Sequence, residues 1–261
     1  MLTADERQRA ADALATAERC RQPIAPLTTT FDDFDIVDAY EVQLINARRR
    51  VGNGQAIGGH KVGLSAKAMQ AMLGVNEPDY GHLFNEMFFI DGGSIEAKRL
   101  CQPRAEIEVA FVLGAPLCGP DVTVADVMRA TDHLLPSIEV VDSRIADWQI
   151  TIADTVADNA SSAAIVLGDQ ATPVSDVNLA LIGALLWKNG EIVETGCSGA
   201  VLGNPAVAVA WLANKLAAFD VGLAAGHVIL PGSCTRMVAV GAGDEITAEF
   251  DHLGSVSISF T

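Results

Sequence analysis

Arg104-Ala105-Glu106-Ile107-Glu108-Val109-Ala110-Phe111-Val112-Leu113 reads as a β-strand whose alternation sorts acidic from apolar side chains. Successive side chains on a strand point to opposite faces. Ile107, Val109 and Phe111 therefore turn one way into apolar packing, while Glu106 and Glu108 share the other face. Two carboxylates on one face beside an apolar run repel each other and resist burial. A divalent cation removes both costs; exposure on an edge strand avoids them. Further on, Ser137-Ile138-Glu139-Val140-Val141 places a third carboxylate in an apolar strand-like run just after Pro136. A glutamate there needs a metal, a hydrogen bond or a cation, and Arg104 and Arg144 are candidate cations. If a metal is the answer, three carboxylates without a nearby His or Cys favour Mg²⁺ or Mn²⁺ over Zn²⁺.

Other short β-rich runs surround this pair: Ala56–Leu64, Met87–Ile90, Ala163–Leu167, Leu179–Trp187, His227–Leu230, Glu245–Phe250 and Val256–Phe260. Asn189-Gly190, between LLWK and EIVET, is a type I′ hairpin signal. Helical patterns concentrate at the start. Thr3-Ala4-Asp5-Glu6 is a capping box, and a second amphipathic helix spans about Asp35 to Val51, ended by Gly52-Asn53-Gly54. One later helix is capped by Asn204, with Pro205 in its first turn and Trp211, Leu212, Leu216 and Phe219 along one face. The expected fold is α+β: a β-rich mixed barrel or sheet roll over residues 56–261, with a helical N-terminal portion over residues 1–55.

Composition narrows the function. Seventeen Lys and Arg stand against 33 Asp and Glu, a net charge of −16, which excludes a large nucleic-acid footprint or docking on an anionic membrane. No apolar run approaches a membrane span, and the charged N-terminus lacks the layout of a signal peptide. Five scattered cysteines without a CxxC argue for a reducing compartment, so the cytoplasm is expected. There is no GxSxG nucleophile motif and no dinucleotide or P-loop signature.

Several further segments carry chemistry. Lys61 lies in GGHKVGL, bracketed by glycines that allow close approach of a ligand or another backbone; a surface lysine is the plainer reading. Asn76–Phe84 and Asp154–Ser162 read as polar loops able to hold site residues, or as ordinary turns. Gly232-Ser233-Cys234-Thr235-Arg236 sets small hydroxyls beside an arginine, a combination suited to carboxylate recognition. From these segments Leu83, Ser161, Ser233 and Arg236 are the candidate substrate contacts.

The ordered stretches GHKVGLSAKAMQ, LGVNEPDYGHLF, PRAEIEVAFVLG, PSIEVVDSRIADW, DTVADNASS, VLGNPAVAVAWLANKL, ILPGSCTR and LGSVSISF resemble the 2-keto-4-pentenoate hydratase family of the fumarylacetoacetate-hydrolase-like superfamily. The resemblance runs from about residue 35 to the end. It implies a Mg²⁺ or Mn²⁺ ion held by Glu106, Glu108 and Glu139, an active-site lysine at Lys61 and an acidic group at Asp79. It further implies a lyase that hydrates a 2-hydroxy-2,4-dienoate to a 4-hydroxy-2-oxo acid in meta-cleavage catabolism of aromatic or steroid compounds. A homo-oligomer, associated with a pathway aldolase or decarboxylase, goes with that reading. A 4-oxalocrotonate-type decarboxylase, which shares the fold, the metal triad and the lysine, is the alternative. An inactive partner subunit and a binding module for acidic metabolites are blander ones. The PGSCTR wording leaves the distal end of the substrate open.

Overall fold

The computed structural model describes residues 1–67, 70–71 and 75–261; parts of the GHKVGLSAKAMQ and LGVNEPDYGHLF motifs lie outside the described residues. Among the described residues thirteen strands succeed one another: β1 (Ile57–Gly63), β2 (Asp79–Phe84), β3 (Phe88–Ile90), β4 (Gly93–Ile95), β5 (Pro103–Leu113), β6 (Thr131–Asp142), β7 (Ser162–Leu167), β8 (Gly183–Lys188), β9 (Glu191–Cys197), β10 (Val228–Leu230), β11 (Val238–Ala239), β12 (Glu245–Phe250) and β13 (Gly254–Phe260). They form two sheets. The larger, mixed and curled, runs β2-β1-β10-β5-β6-β7-β3 with β11 added beside β5; the smaller runs β4-β13-β12-β8-β9.

The long antiparallel ladder of β5 with β6 is the spine of the larger sheet, pairing Glu106 with Glu139 and Ile107 with Ile138. Because directly opposed residues share a face, one side of this ladder is apolar: Ile107, Val109, Phe111, Ile138 and Val140 are fully or almost fully buried, in one core with Ile246, Ala248, Val256 and Ile258 of the smaller sheet. The other side is concave and carries the glutamates.

Helices α1 (Ala4–Cys20) and α3 (Ile36–Gly52), with the single turn α2 (Leu27–Thr30) between them, cover the larger sheet. The capping box at Thr3 starts α1 as the sequence predicts, and a second one, at Asp35 with Asp38, starts α3. The two helices are fastened by a buried carboxylate: Asp38 accepts from the Leu2 amide at 3.1 and 3.0 Å and pairs with Arg7 at 2.7 Å. The Asn189-Gly190 turn has both residues at positive φ, 54° and 80°, and joins β8 to β9 as expected.

Several expectations are corrected. Asn76–Phe84 is not all loop. From Asp79 it is strand β2, buried throughout, in which Tyr80, His82 and Phe84 alternate with Asp79, Gly81 and Leu83. The period of two is hidden in sequence because buried Asp79 and His82 put a polar residue on each face. Asp154–Ser162 contains most of a helix, Ile152–Ala157, capped by Thr151, with Asp154 closing the capping box. A helix at Val124–Ala130 goes unread in the sequence, and the strand expected from Leu179 begins at Gly183. Phe219 falls beyond the end of the helix Pro205–Ala217 and is 40% exposed, so it does not extend that helix's buried face.

On the back of β1 and β2, three imidazoles collect. His60 and His82 are register partners with ring centroids 5.1 Å apart, and His227 lies 5.9 Å from His60. Both ring nitrogens of His60, and Nδ1 of His82, are buried without a hydrogen-bond partner. Burial, reinforced for His60 by the neighbouring imidazoles, holds its basicity well below normal; burial takes His82 down to about 4. These rings stay neutral in the fold and charge in the unfolded chain below about pH 6.5, so their stabilising contribution is complete above that pH and is lost as pH falls. In urea titrations, wild type should lose stability relative to His60→Leu as pH drops from 7 to 5, with a difference that steepens toward about 1.4 kcal/mol per pH unit. Parallel pH profiles would refute the role given to His60.

Candidate active site

The concave face of the larger sheet is graded along β5. At its base Ala110, Leu135, Ile165, Leu230 and Leu83 form an apolar floor. One step up, Glu108 sits opposite Ser137; the next step carries Glu106 opposite Glu139. Carboxylate oxygens of Glu106, Glu108 and Glu139 lie within 4.8 Å of one another. Glu108 and Glu139 are 1% and 0% exposed.

The surroundings fix each group. Glu108 Oε2 accepts from the Gly232 amide at 2.7 Å, and Glu139 Oε1 accepts from Ser162 Oγ at 2.7 Å. Gly232 has φ +128°, and a Cβ there would fall 1.8 Å from Ser65 Oγ, so glycine is required for this approach. Lys61 Nζ stands 3.2 Å from Glu139 Oε2. This contact is Coulombic rather than an aligned hydrogen bond, since Oε2 has no hydrogen-bonding partner. Arg144 is not that partner: it pairs with Asp158 at 2.6 Å, and Arg104 stacks on Trp148.

Asp79 is brought opposite Gly63 by the β1–β2 register, two residues along from Lys61 and on its face. A Cβ on Gly63 would meet Asp79 Oδ1 at 2.1 Å, so that glycine makes room for the carboxylate. Asp79 Oδ1 is buried and unpartnered. Behind it, Asn159, Ala160 and Ser161 form three successive left-handed residues, with φ of 54°, 50° and 57°. Asn159 clamps β2 by exchanging hydrogen bonds with the His82 backbone at 2.8 and 2.9 Å. Such a run is costly for residues with side chains and persists only where packing holds it.

Burial and like charges shift the acids together. Desolvation, with Glu139 and Asp79 adding repulsion and Lys61 opposing, pushes Glu106 up to about 7. Desolvation, with repulsion from Glu139 and Glu106, carries Glu108 well above the usual carboxylate range, and desolvation with Glu139 takes Asp79 to about 6. Lys61 is held above its ordinary value, because the four nearby carboxylates outweigh its own desolvation.

Lys61, Asp79, Glu106, Ser161 and Ser233 line one cavity of about 160 Å³, walled by Val141, Trp148 and Met237. Two expected contacts are not brought to it. Leu83 is completely buried in the apolar floor, and Arg236 points outward, its side chain 86% exposed and paired with Glu194 at 2.7 Å. Trp148 and Thr155, unmarked in sequence, do line it. A larger cleft of about 500 Å³ lies behind Ser162, between α1, α3 and the sheet; it does not contain the carboxylate cluster.

The donor set suits a hard divalent cation. It has oxygen ligands only, three of them converging, with one buried carboxylate oxygen lacking a hydrogen-bond donor. The fold and this site define an enzyme built around a carboxylate-lined cavity in a curled sheet. Residues 51–260 match the fumarylacetoacetate (FAA) hydrolase C-terminal family, and the chain belongs to it. It is 42% identical over 256 residues to 2-oxo-hept-4-ene-1,7-dioate hydratase of Escherichia coli, covering 96% of each chain. To 2-keto-4-pentenoate hydratase of Paraburkholderia xenovorans (strain LB400) it is 44% identical over 261 residues, 99% of this chain and 96% of the relative. The structure of 4-oxalocrotonate decarboxylase from Pseudomonas putida G7, complexed with magnesium and adipate, superposes with a TM-score of 0.96 at 38% identity, covering 100% and 99%.

Because the ligating carboxylates must be ionised, cation affinity should weaken as pH falls from about 7 to 5, and binding should release protons. In thermal unfolding, saturating Mg²⁺ or Mn²⁺ should stabilise wild type by about 2–3 kcal/mol. Glu108→Gln should lose that gain while its metal-free form becomes about 1–2 kcal/mol more stable, through relief of buried repulsion. Equal metal-induced shifts in both proteins would refute the ligand assignment.

Proposed function

We propose that the chain is a metal-dependent hydro-lyase that adds water to a 2-hydroxy-2,4-dienoate, giving a 4-hydroxy-2-oxo acid. The observation that carries this reading is the juxtaposition of the Glu106, Glu108 and Glu139 cluster with Lys61, which stands 3.2 Å from Glu139, and with Asp79, where Lys61, Asp79 and Glu106 open onto one cavity. The hydratase relatives, similar over nearly the whole chain, support the reaction type.

Glu106, Glu108 and Glu139 would hold Mg²⁺ or Mn²⁺, which when bound supplies Lewis-acid polarisation of substrate oxygens. Lys61, kept cationic by its acidic neighbours, holds a proton beside the C2 oxygen and stabilises charge developing there. Protonation at C5 gives the α,β-unsaturated 2-oxo acid; water then adds its hydroxyl at C4 and a proton at C3. Asp79, raised to about 6 but still mostly ionised at neutral pH, accepts the proton of the attacking water. Ser161 and Ser233 offer hydroxyls to the substrate, and Val141, Trp148 and Met237 give it an apolar wall. Leu83 acts only as floor, and Arg236 lies outside the cavity.

A decarboxylase reading has one observation in its favour, the close structural likeness to 4-oxalocrotonate decarboxylase. Product identification separates the two. We also propose a homo-oligomer in the cytoplasm, open to association with a pathway aldolase or decarboxylase. In support, β9 is an edge strand with Ile192 and Val193 exposed, and Ile90 on β3 is 80% exposed.

With 2-hydroxypenta-2,4-dienoate or a longer homologue, metal-loaded protein should consume the dienoate absorbance and yield the 4-hydroxy-2-oxo acid, and chelator should stop it. Lys61→Met should lower kcat by about 10²–10⁴-fold. With metal kept saturating at every pH, activity that falls on acidification through about pH 6 should lose that limb in the residual activity of Asp79→Asn. Release of CO₂ in place of hydration would favour the decarboxylase.

A further inference from the structure

Arg104 occupies the step of β5 immediately outside Glu106, on the same face by strand alternation. Its register partner on β6 is Val141, which lines the cavity. Its guanidinium carbon lies 4.4 Å from the ring centroid of Trp148, another lining residue, itself anchored by an Nε1–H donation to the Gln102 carbonyl at 3.0 Å. The guanidinium is therefore at the rim of the cavity, with its flat face covered by an indole.

Arg104 is also uncommitted. Among the described residues it enters no ion pair and makes no side-chain hydrogen bond, whereas Arg144 is tied to Asp158 and Lys61 to Glu139. A guanidinium stacked on an aromatic ring keeps its edge of N–H donors free, the geometry that binds a carboxylate through two parallel hydrogen bonds. Apart from Lys61, which faces the carboxylate cluster, the cavity lining has no cationic side chain among the described residues. Strand spacing sets Arg104 about 6.6 Å beyond Glu106, the order of length of a short carbon chain. A substrate with its 2-oxygenated end among the glutamates and its chain running outward along β5 would present its far end to Arg104.

We propose that Arg104 is a specificity-determining residue that reads a second, distal carboxylate, so that the preferred substrates are 2-hydroxydienedioates rather than monoacids. This rests on the hydratase reading above. The Trp148 ring orients the guanidinium, and the distance from Glu106 sets the chain length accepted.

Two matched ligands that cannot be hydrated, 2-oxoadipate and 2-oxohexanoate, differ only in the distal carboxylate. Calorimetry on Mg²⁺-loaded wild type should find the diacid at least tenfold tighter. In Arg104→Met, whose side chain keeps the apolar stem against Trp148, the ratio should fall to within about threefold while the monoacid binds as before. Arg104→Lys, with a charge but no fork, should fall between. In turnover, the Arg104→Met loss on 2-hydroxyhepta-2,4-diene-1,7-dioate should fall on KM and largely spare 2-hydroxypenta-2,4-dienoate. A wild-type ratio near one, or a ratio unmoved by Arg104→Met, overturns the proposal. The two readings fail separately: metal-dependent hydration of the monoacid with an unmoved ratio leaves the hydratase and removes the role of Arg104. No hydration of either dienoate with an Arg104-dependent binding ratio does the reverse.

Discussion

Glu106 faces Glu139 across neighbouring strands, Glu139 fully buried and Glu106 partly so. Like charges directly opposed on a sheet are destabilising, and burial multiplies the effect because the protein interior screens poorly. Everything around the pair answers this repulsion. Lys61 supplies a cation at 3.2 Å, Ser162 and the Gly232 amide donate hydrogen bonds, and the remaining excess is expressed as raised proton affinity in Glu106, Glu108 and Asp79. The fold thus stores in one layer the unfavourable electrostatics that a divalent cation would relieve.

Holding that layer together takes the rest of the sheet. The apolar back of β5 and β6 locks their register by packing on the smaller sheet, and a slip of one residue would turn the glutamates into that core. The strands β1 and β10 pair in parallel, with Lys61 beside Leu230, and β2 adds Asp79 through its register with Gly63. The left-handed run Asn159–Ser161 spends local conformational energy to grip β2 and to place Ala160 and Ser161 on the cavity wall.

How much of this is legible in the sequence depends on whether a pattern is local. The alternation of Glu106 and Glu108 with Ile107 and Val109, the capping box at Thr3 and the Asn-Gly turn are written in adjacent residues, and each leads directly to the right element. Strand β2 is obscured because His82 and Asp79 are buried polar residues on opposite faces, which removes the hydrophobic contrast that marks a strand. The helix Ile152–Ala157 is hidden by its brevity, although Thr151 and Asp154 form its capping box. The direction of Arg236 is beyond reach: whether it faces Glu194 or the cavity is decided by the pairing of β8 and β9. Trp148 escapes notice for a related reason, since its place at the rim comes from a turn after β6 and not from any motif around it.

The stepped inner face of β5 has a consequence for how such a site can change over generations. Its side chains enter the cavity only at every second residue, about 6.6 Å apart, so the strand is a ruler graduated in dipeptides. Inserting or deleting a single residue between Arg104 and Glu106 would swap every inward and outward position on one side of the change. A two-residue change would keep the faces and move the rim charge by one graduation. Descendants of this sequence can therefore lengthen or shorten the molecule they accept through paired insertions, or through exchange of the rim side chain, while the metal-binding layer below stays in place.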